Sequence, residues 1–84
     1  MRLDKFLKVS RIIKRRSVAN EACDLSKVVV NGRAVKPAYR VKEGDIIEIA
    51  FGKRTLRVRV LQLDENTGKS AASAMYEEIP AEAD

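Results

Sequence analysis

Basic side chains recur at short intervals near the start of the chain, and their type and spacing suit the binding of a polyanion. Seven cations fall between positions 2 and 16, namely Arg2, Lys5, Lys8, Arg11, Lys14, Arg15 and Arg16. A cluster of this density gains free energy from counterion release when it binds an RNA backbone. Arginine adds bidentate contacts to phosphate and can stack on an exposed base. The segment therefore predicts an RNA-binding surface.

A solvated helix face laced with ion pairs is the alternative interpretation of these cations. It needs acidic residues three or four positions away from the basic ones, and Asp4 is the only acid in this segment. RNA binding is therefore the favoured interpretation.

A second, sparser group of cations surrounds a predicted hairpin, and it consists of Lys27, Arg33, Lys36, Arg40 and Lys42. It could extend the RNA surface, with Lys36 as its candidate contact, or merely keep a sheet edge soluble. Both interpretations stay open. Arg57 and Arg59 are weaker candidates, because exposed strand positions often carry Arg without a binding role.

The charge is distributed unevenly along the 84 residues. Residues 1–63 hold 16 of the 17 Lys and Arg against 6 of the 12 Asp and Glu, whereas residues 64–84 hold one Lys and six acids. A basic body with an acidic tail favours a polyanionic partner for the body. The sequence predicts a domain over residues 1–63 and an acidic linker and tail over residues 64–84.

The residues of most enzymes and metal sites are scarce. The chain has no His and a single Cys, Cys23, so it forms no internal disulfide and offers no common metal-ligand set. Cys23 lies among apolar positions, which favours a buried role over a nucleophilic one. We therefore expect a binding protein that is not an enzyme and uses no cofactor. The short apolar stretches predict no membrane span, so we expect a cytoplasmic protein, and a monomer is the default expectation.

Two helices are predicted at the start of the chain. Leu3, Phe6 and Leu7 have the spacing of one buried helix face over residues 2–9. Ser17 is a candidate N-cap for a second helix over residues 18–26. The apolar residues of that helix, which we expect to face the core, are Val18, Ala19, Ala22, Cys23 and Leu25.

Short strands follow the helices. Asn31-Gly32 between β-branched runs predicts a hairpin with a type I′ turn. A further strand over residues 46–51 is expected to place Phe51 in the core, and a turn at residues 52–54 leads into an alternating strand. Beyond a polar linker, Ala72, Met75, Tyr76 and Ile79 have helical spacing, so a short C-terminal helix is predicted. The order of elements indicates an α+β fold with two helices packed on a small curved antiparallel sheet.

Structured RNA is favoured over DNA and over single strands. Neither helix has the base-reading Asn or Gln pattern of a recognition helix. Phe6 and Phe51 are expected in the core, and Tyr39 is interpreted as packing against a turn, so aromatic platforms for stacking bases are missing. A convex basic surface that reads phosphates and shape remains.

An ordered set of short motifs resembles the S4 RNA-binding domain family. Its first half is carried by Arg2-Leu3-Asp4-Lys5-Phe6-Leu7, Ser10-Arg11 and Arg15-Arg16-Ser17 with Ala19 and Ala22, and its second half by Val30-Asn31-Gly32, Lys36-Pro37, Val41 and Gly44-Asp45-Ile46. The resemblance covers roughly residues 1–60. It implies two helices on a curved sheet, with RNA bound along the helical face.

The resemblance also implies partners. The chain is similar to stand-alone members of the family that act on large ribosomal subunits still carrying peptidyl-tRNA, either in bacterial ribosome quality control or as ribosome-associated heat-shock proteins. It implies contacts with large-subunit rRNA and tRNA, and it adds the tailing factor of quality control as a candidate partner. A different class of function, recruitment of a protein through the C-terminal helix, is the alternative.

Overall fold

Two helices precede a five-stranded sheet. The computed structural model describes residues 1–63 and 74–80. Its elements are α1 (Leu3–Val9), α2 (Arg16–Asp24), β1 (Val28–Val30), β2 (Arg33–Ala34), β3 (Ile46–Phe51), β4 (Arg54–Val60) and β5 (Tyr76–Ile79). The strands pair antiparallel in the order β2-β1-β3-β4-β5. The predicted α+β fold, with two N-terminal helices and an antiparallel sheet, is confirmed.

The core lies between the helices and one face of the sheet. From α1, Leu3, Phe6 and Leu7 are fully buried, as their spacing predicts. The sheet supplies every second residue of three strands, namely Val28, Val30, Ile47, Ile49, Val58 and Val60. Because successive strand residues point to opposite faces, the pairing of neighbouring strands brings these six side chains together on the face that packs against the helices.

The second helix begins earlier than the sequence predicts. It starts at Arg16, and Arg15 occupies the N-cap position without a side-chain cap. Ser17 lies inside the first turn, so its predicted role as N-cap was wrong. The Arg16 guanidinium lies 3.3 Å from a carboxylate oxygen of Asp4, and this contact ties the first turn of α2 to α1.

The buried stripe of α2 is narrower than predicted. Ala19 and Cys23 are buried, whereas Val18 and Leu25 are 47% and 57% exposed. Small side chains at the contact let α2 lie close to its neighbours, which leaves the larger apolar residues outside. Neither helix in the described part of the chain is long and apolar enough to cross a membrane.

The first hairpin has the turn that the sequence predicts. Val30 pairs with Arg33, so Asn31 and Gly32 form a two-residue loop, and both have positive φ, at 52° and 83°. This is the conformation that a type I′ turn requires. The Asn31 side chain also accepts a hydrogen bond from the Ile46 amide at 3.0 Å, which links the turn to β3.

Phe51 is not a core residue. It is 43% exposed, and it forms with Arg54 the last residue pair of β3 and β4 before the Gly52-Lys53 turn. The alternation along β3 points Phe51 towards the same side as Ile47 and Ile49, but it lies beyond the end of the core.

The predicted C-terminal helix is a strand. Residues 76–79 pair with β4, with Tyr76 opposite Val60 and Ile79 opposite Arg57. Met75 is fully buried, and its carbonyl accepts a hydrogen bond from the Leu61 amide at 2.8 Å. The helical spacing was misleading because the open edge of β4 offers backbone partners that a local pattern does not register. Ala72 lies outside the described residues.

Candidate nucleic-acid interface

A buried carboxylate gathers the two ends of the basic segment. Asp4 is 2% exposed. Arg2 donates from Nε and Nη2 to its two oxygens at 3.2 and 3.1 Å, Arg16 lies at 3.3 Å, and the Asn20 amide donates at 3.2 Å. We call these four residues the Asp4 anchor. Arg2 and Arg16 lie fourteen positions apart in the sequence, and the anchor brings them to one point.

The environment of Asp4 keeps it ionised. Burial alone would raise the pKa of this carboxyl group, but hydrogen bonds from Asn20, Arg2 and Arg16, together with the charge of Arg16, outweigh burial. The net result is a pKa below the usual value for Asp. An Asp4 carboxylate that is ionised at neutral pH therefore holds both guanidinium groups, and each side chain remains nearly half exposed, at 44% for Arg2 and 47% for Arg16.

Local structure explains how the anchor forms. Asp4 lies in the first turn of α1, where the helix dipole favours a negative charge. Arg2 immediately precedes that turn, and Arg16 opens the first turn of α2 with Asn20 one turn later on the same side. A guanidinium group has five N–H donors, so both arginines keep donors that can reach a phosphate.

The other cations of the predicted site lie on α1 and in the loop between the helices. Lys8, Arg11, Lys14 and Arg15 are exposed, and no hydrogen bond or ion pair joins their side chains to another residue that the structure describes. Lys5 is half-buried on α1. We call the seven residues Arg2, Lys5, Lys8, Arg11, Lys14, Arg15 and Arg16 the basic cluster.

Arg11 has an unusual backbone conformation. Its φ is 66°, in the left-handed region that costs an ordinary side chain about 1–2 kcal/mol. It follows the C-cap residue of α1, where Gly is the common choice. The Arg11 amide bonds to the Lys8 carbonyl at 3.0 Å, which ends the helix. An arginine at a glycine position points to a requirement for its side chain rather than for its backbone.

The loop that contains Lys36 runs beside the start of α1. The amides of Leu3 and Asp4 donate to the carbonyls of Tyr39 and Pro37 at 2.8 and 3.2 Å. These bonds place Pro37, and with it the neighbouring Lys36, beside the first turn of α1. Lys36 is exposed and also lines a shallow groove with residues at the end of α2.

Arg40 lies beside Arg2 of the Asp4 anchor, although the sequence placed it only in the second, sparser group of cations. It forms an isolated backbone bridge with Arg2 and is exposed. The Val41 amide also donates to the Met1 carbonyl at 2.9 Å. Of the weaker cations around the hairpin, Arg40 is therefore placed directly beside Arg2 of the basic cluster.

Tyr39 packs against a turn, as predicted. Its hydroxyl donates to Asp45 at 2.9 Å, and Asp45, which is 7% exposed, also accepts from the Asn31 amide and the Lys42 backbone. Burial and the hydrogen bond to the charged Asp45 raise the pKa of Tyr39. Tyr39 is thus committed to holding the loop that contacts α1, and its hydroxyl is not offered to a ligand.

The cations on the outer face of the sheet are neutralised. Arg57 donates to Glu48 from both Nε and Nη2, each at 2.7 Å, and Arg59 pairs with Glu77 of β5. The side chain of Glu77, in the acidic C-terminal segment, thus pairs with a cation of the sheet.

Cys23 is unsuited to nucleophilic chemistry. Burial, followed by the charges of Asp4 and Asp24, raises its pKa to about 11, so the thiol is protonated at neutral pH and lacks the thiolate that reacts. The described residues also include no group of three or more His, Cys, Asp and Glu side chains placed to hold a metal ion.

Sequence reasoning missed two members of the anchor. Asp4 was counted only as the lone acid among the cations, and Asn20 was not singled out. The spacing of Arg16 and Asn20, one helical turn apart, is the signal that could have linked them. The contact between Asn20 and Asp4 spans sixteen residues, and no local pattern predicts it.

Known proteins are similar to this chain over most of its length. The S4 domain matches residues 1–47. An "RQC P-site tRNA stabilizing factor" of Streptococcus pneumoniae is 51% identical over 79 residues, which cover 94% of this chain and 90% of that protein. A heat shock protein 15 homologue of Aeromonas salmonicida is 41% identical over 83 residues, covering 96% of this chain and 62% of that protein.

A solved structure has the same architecture. The trimeric heat shock protein 15 of Vibrio cholerae superposes with a TM-score of 0.87 at 30% identity, covering 95% of this chain and 82% of that one. The oligomeric state belongs to that protein, and the monomer expected for this chain stays a prediction.

Proposed function

Because this chain belongs to the S4 domain family, we propose that it binds structured RNA through the basic cluster and makes or breaks no bond itself. The observation that carries the proposal is the Asp4 anchor. A buried, ionised carboxylate holds Arg2 and Arg16 in fixed positions while leaving N–H donors of both exposed. Side chains that are already ordered lose less conformational entropy on binding.

The finer proposal concerns the RNA. The relatives named RQC P-site tRNA stabilizing factor share nearly the whole length of this chain. We propose that this chain contacts both tRNA and large-subunit rRNA and holds peptidyl-tRNA in place on obstructed large subunits during ribosome quality control. This role would place the chain in the cytoplasm. A contact with the tailing factor stays a prediction.

A role like that of the heat-shock relatives is the second candidate. The fold of the Vibrio cholerae protein favours it. The chain spans less than two thirds of the Aeromonas salmonicida relative, however, and about nine tenths of the Streptococcus pneumoniae factor. The first role therefore has the stronger support. Recruitment of a protein by a C-terminal helix loses its basis, because residues 76–79 form β5.

Co-sedimentation with purified large ribosomal subunits tests the proposal. We expect the native chain to pellet with subunits that carry P-site peptidyl-tRNA, and to pellet less with empty subunits. Arg2→Ala and Arg16→Ala should lose most of this recovery, because each removes one arm of the anchor. Arg59→Ala is the matched control, since it removes an arginine that is paired with Glu77.

Two outcomes would contradict different parts of the proposal. Equal recovery with loaded and empty subunits would contradict the role at the P site while leaving RNA binding in place. Full recovery of Arg16→Ala would contradict the assignment of RNA binding to the basic cluster.

A further inference from the structure

An apolar groove lies between the loop after α1, the exposed side of α2 and the end of β3. Its volume is about 400 Å³, within the range of roughly 300–1,000 Å³ that is usual for ligand clefts. Ile12, Val18, Ala22, Ile49 and Phe51 form its apolar walls. None of the four residues of the Asp4 anchor lines the groove. The groove is therefore separate from the point where Arg2 and Arg16 meet.

Two large apolar side chains at this groove are exposed without a structural reason. Val18 is 47% exposed and Phe51 is 43% exposed, although the sequence predicts both in the core. Each exposes apolar surface to water at a position where a polar side chain would be equally compatible with the fold. Adjacent exposed apolar residues that line a concave surface are typical of an interaction site.

The charges at the groove indicate the chemistry of the occupant. Its charged lining residues are Lys14 and Lys27, and no acid of the described residues lines it. We propose that the groove docks an acidic segment of a partner protein, with bulky apolar side chains inserted between α2 and Phe51 and carboxylates facing the two lysines. This surface goes beyond RNA binding, and it shares Lys14 with the basic cluster.

A protein segment fits the walls better than a nucleobase does. Bases bind single-strand surfaces by stacking on aromatic faces, and Phe51 is the one aromatic side chain among the lining residues. The remaining walls are aliphatic and are shaped by β-branched side chains and Ala22, which suits the insertion of an apolar anchor into a pocket.

A peptide selection tests this proposal on the full chain. A random twelve-residue display library would be selected against the native chain in the absence of RNA, because Lys14 belongs both to the groove and to the basic cluster. Counter-selection on a Val18→Ser, Phe51→Ser double variant removes peptides that bind elsewhere. We expect the enriched peptides to combine bulky apolar residues with Asp or Glu.

Single variants then locate the binding surface by fluorescence anisotropy of an enriched peptide. Phe51→Ser and Lys27→Glu should each weaken binding by roughly tenfold or more. Leu25→Ser is the matched control, because Leu25 is equally apolar, 57% exposed and absent from the groove lining. It should change the affinity by less than about twofold. Circular dichroism of each variant checks that the fold is intact.

Four results would overturn the proposal. The first is a selection in which no enriched peptide distinguishes the native chain from the double variant, and the second is a set of enriched peptides that lack acidic residues. The third is self-association of the chain that Phe51→Ser abolishes, and the fourth is a loss of tRNA affinity in Phe51→Ser. The third result would identify a second copy as the occupant, and the fourth would identify RNA.

Discussion

Asp4 decides where two guanidinium groups lie, although it subtracts from the positive charge that attracts RNA. It accepts hydrogen bonds from Arg2 and Asn20 and pairs with Arg16. Two contributions to RNA binding, the number of positive charges and their arrangement, therefore oppose each other at this residue. A single substitution can separate them.

Asp4→Asn is expected to weaken RNA binding even though it makes the chain more positive than its net charge of +5. An amide cannot hold Arg2 and Arg16 by charge, so both side chains gain freedom that binding must remove. We also expect a loss of about 1–3 kcal/mol in the free energy of unfolding. Equilibrium binding to tRNA and urea unfolding measure the two effects. Tighter RNA binding by Asp4→Asn would show that charge alone matters.

The same substitution should alter the pH dependence of stability. The pKa of Asp4 is lowered in the folded chain, so the carboxylate contributes stability above the ordinary Asp range near 3.9, and this contribution is lost as the pH falls through the folded value. The difference in stability between native chain and Asp4→Asn should therefore shrink in acid. A difference that stays constant down to strongly acidic pH would contradict the assigned ionisation.

Arg11→Gly is expected to raise stability while it weakens RNA binding. Glycine removes the cost of a left-handed backbone at φ 66°, so the free energy of unfolding should rise by up to about 1 kcal/mol. RNA affinity should fall, because an exposed cation of the basic cluster is lost. Arg11→Lys retains charge and backbone cost and is the control. Unchanged RNA affinity in Arg11→Gly would exclude Arg11 from the interface.

At the scale of elements, β5 is part of the folded body. It pairs with β4 along four residues, and Met75 fills the core beside it. Met75→Ala should lower the free energy of unfolding by about 2–5 kcal/mol, whereas Leu61→Ala, which truncates a side chain that is 44% exposed, should change it by less than about 0.5 kcal/mol. Equal stability of both variants in urea unfolding would indicate that the C-terminal segment does not pack against the body.

The elements differ in how far the sequence could predict them. The Asn31-Gly32 hairpin and α1 follow from local rules, because the turn requires two residues of positive φ and Leu3, Phe6 and Leu7 repeat at helical spacing. The segment with Met75, Tyr76 and Ile79 fits a helix equally well by spacing. Its strand conformation depends on the open edge of β4, which lies far away in the sequence.

The candidate site shows the same division. The cations could be identified as a group from their density, and the structure places Arg2 and Arg16 at one point. The anchor itself could not be predicted, because the contact of Asp4 with Asn20 joins two helices. Phe51 and Val18 were expected inside because they are apolar, and their exposure depends on where the core ends.

At the scale of the whole molecule, the paired arginines of the sheet differ from four exposed cations of the basic cluster. Glu48 and Glu77 neutralise Arg57 and Arg59 on the sheet, whereas no ion pair joins Lys8, Arg11, Lys14 or Arg15 to another residue that the structure describes. RNA is therefore expected to approach from the helical side. The groove near Phe51 lies beside that surface and shares Lys14 with it.

The salt dependence of RNA affinity tests the central claim most directly. The logarithm of the tRNA binding constant falls linearly with the logarithm of the KCl concentration, and the slope reports the number of phosphate contacts. Arg16→Ala should reduce the magnitude of that slope by about 1 relative to the native chain, since one contact is lost. Arg59→Ala should leave the slope unchanged. Identical slopes for the native chain and Arg16→Ala, or an equal reduction in Arg59→Ala, would contradict RNA capture by the basic cluster.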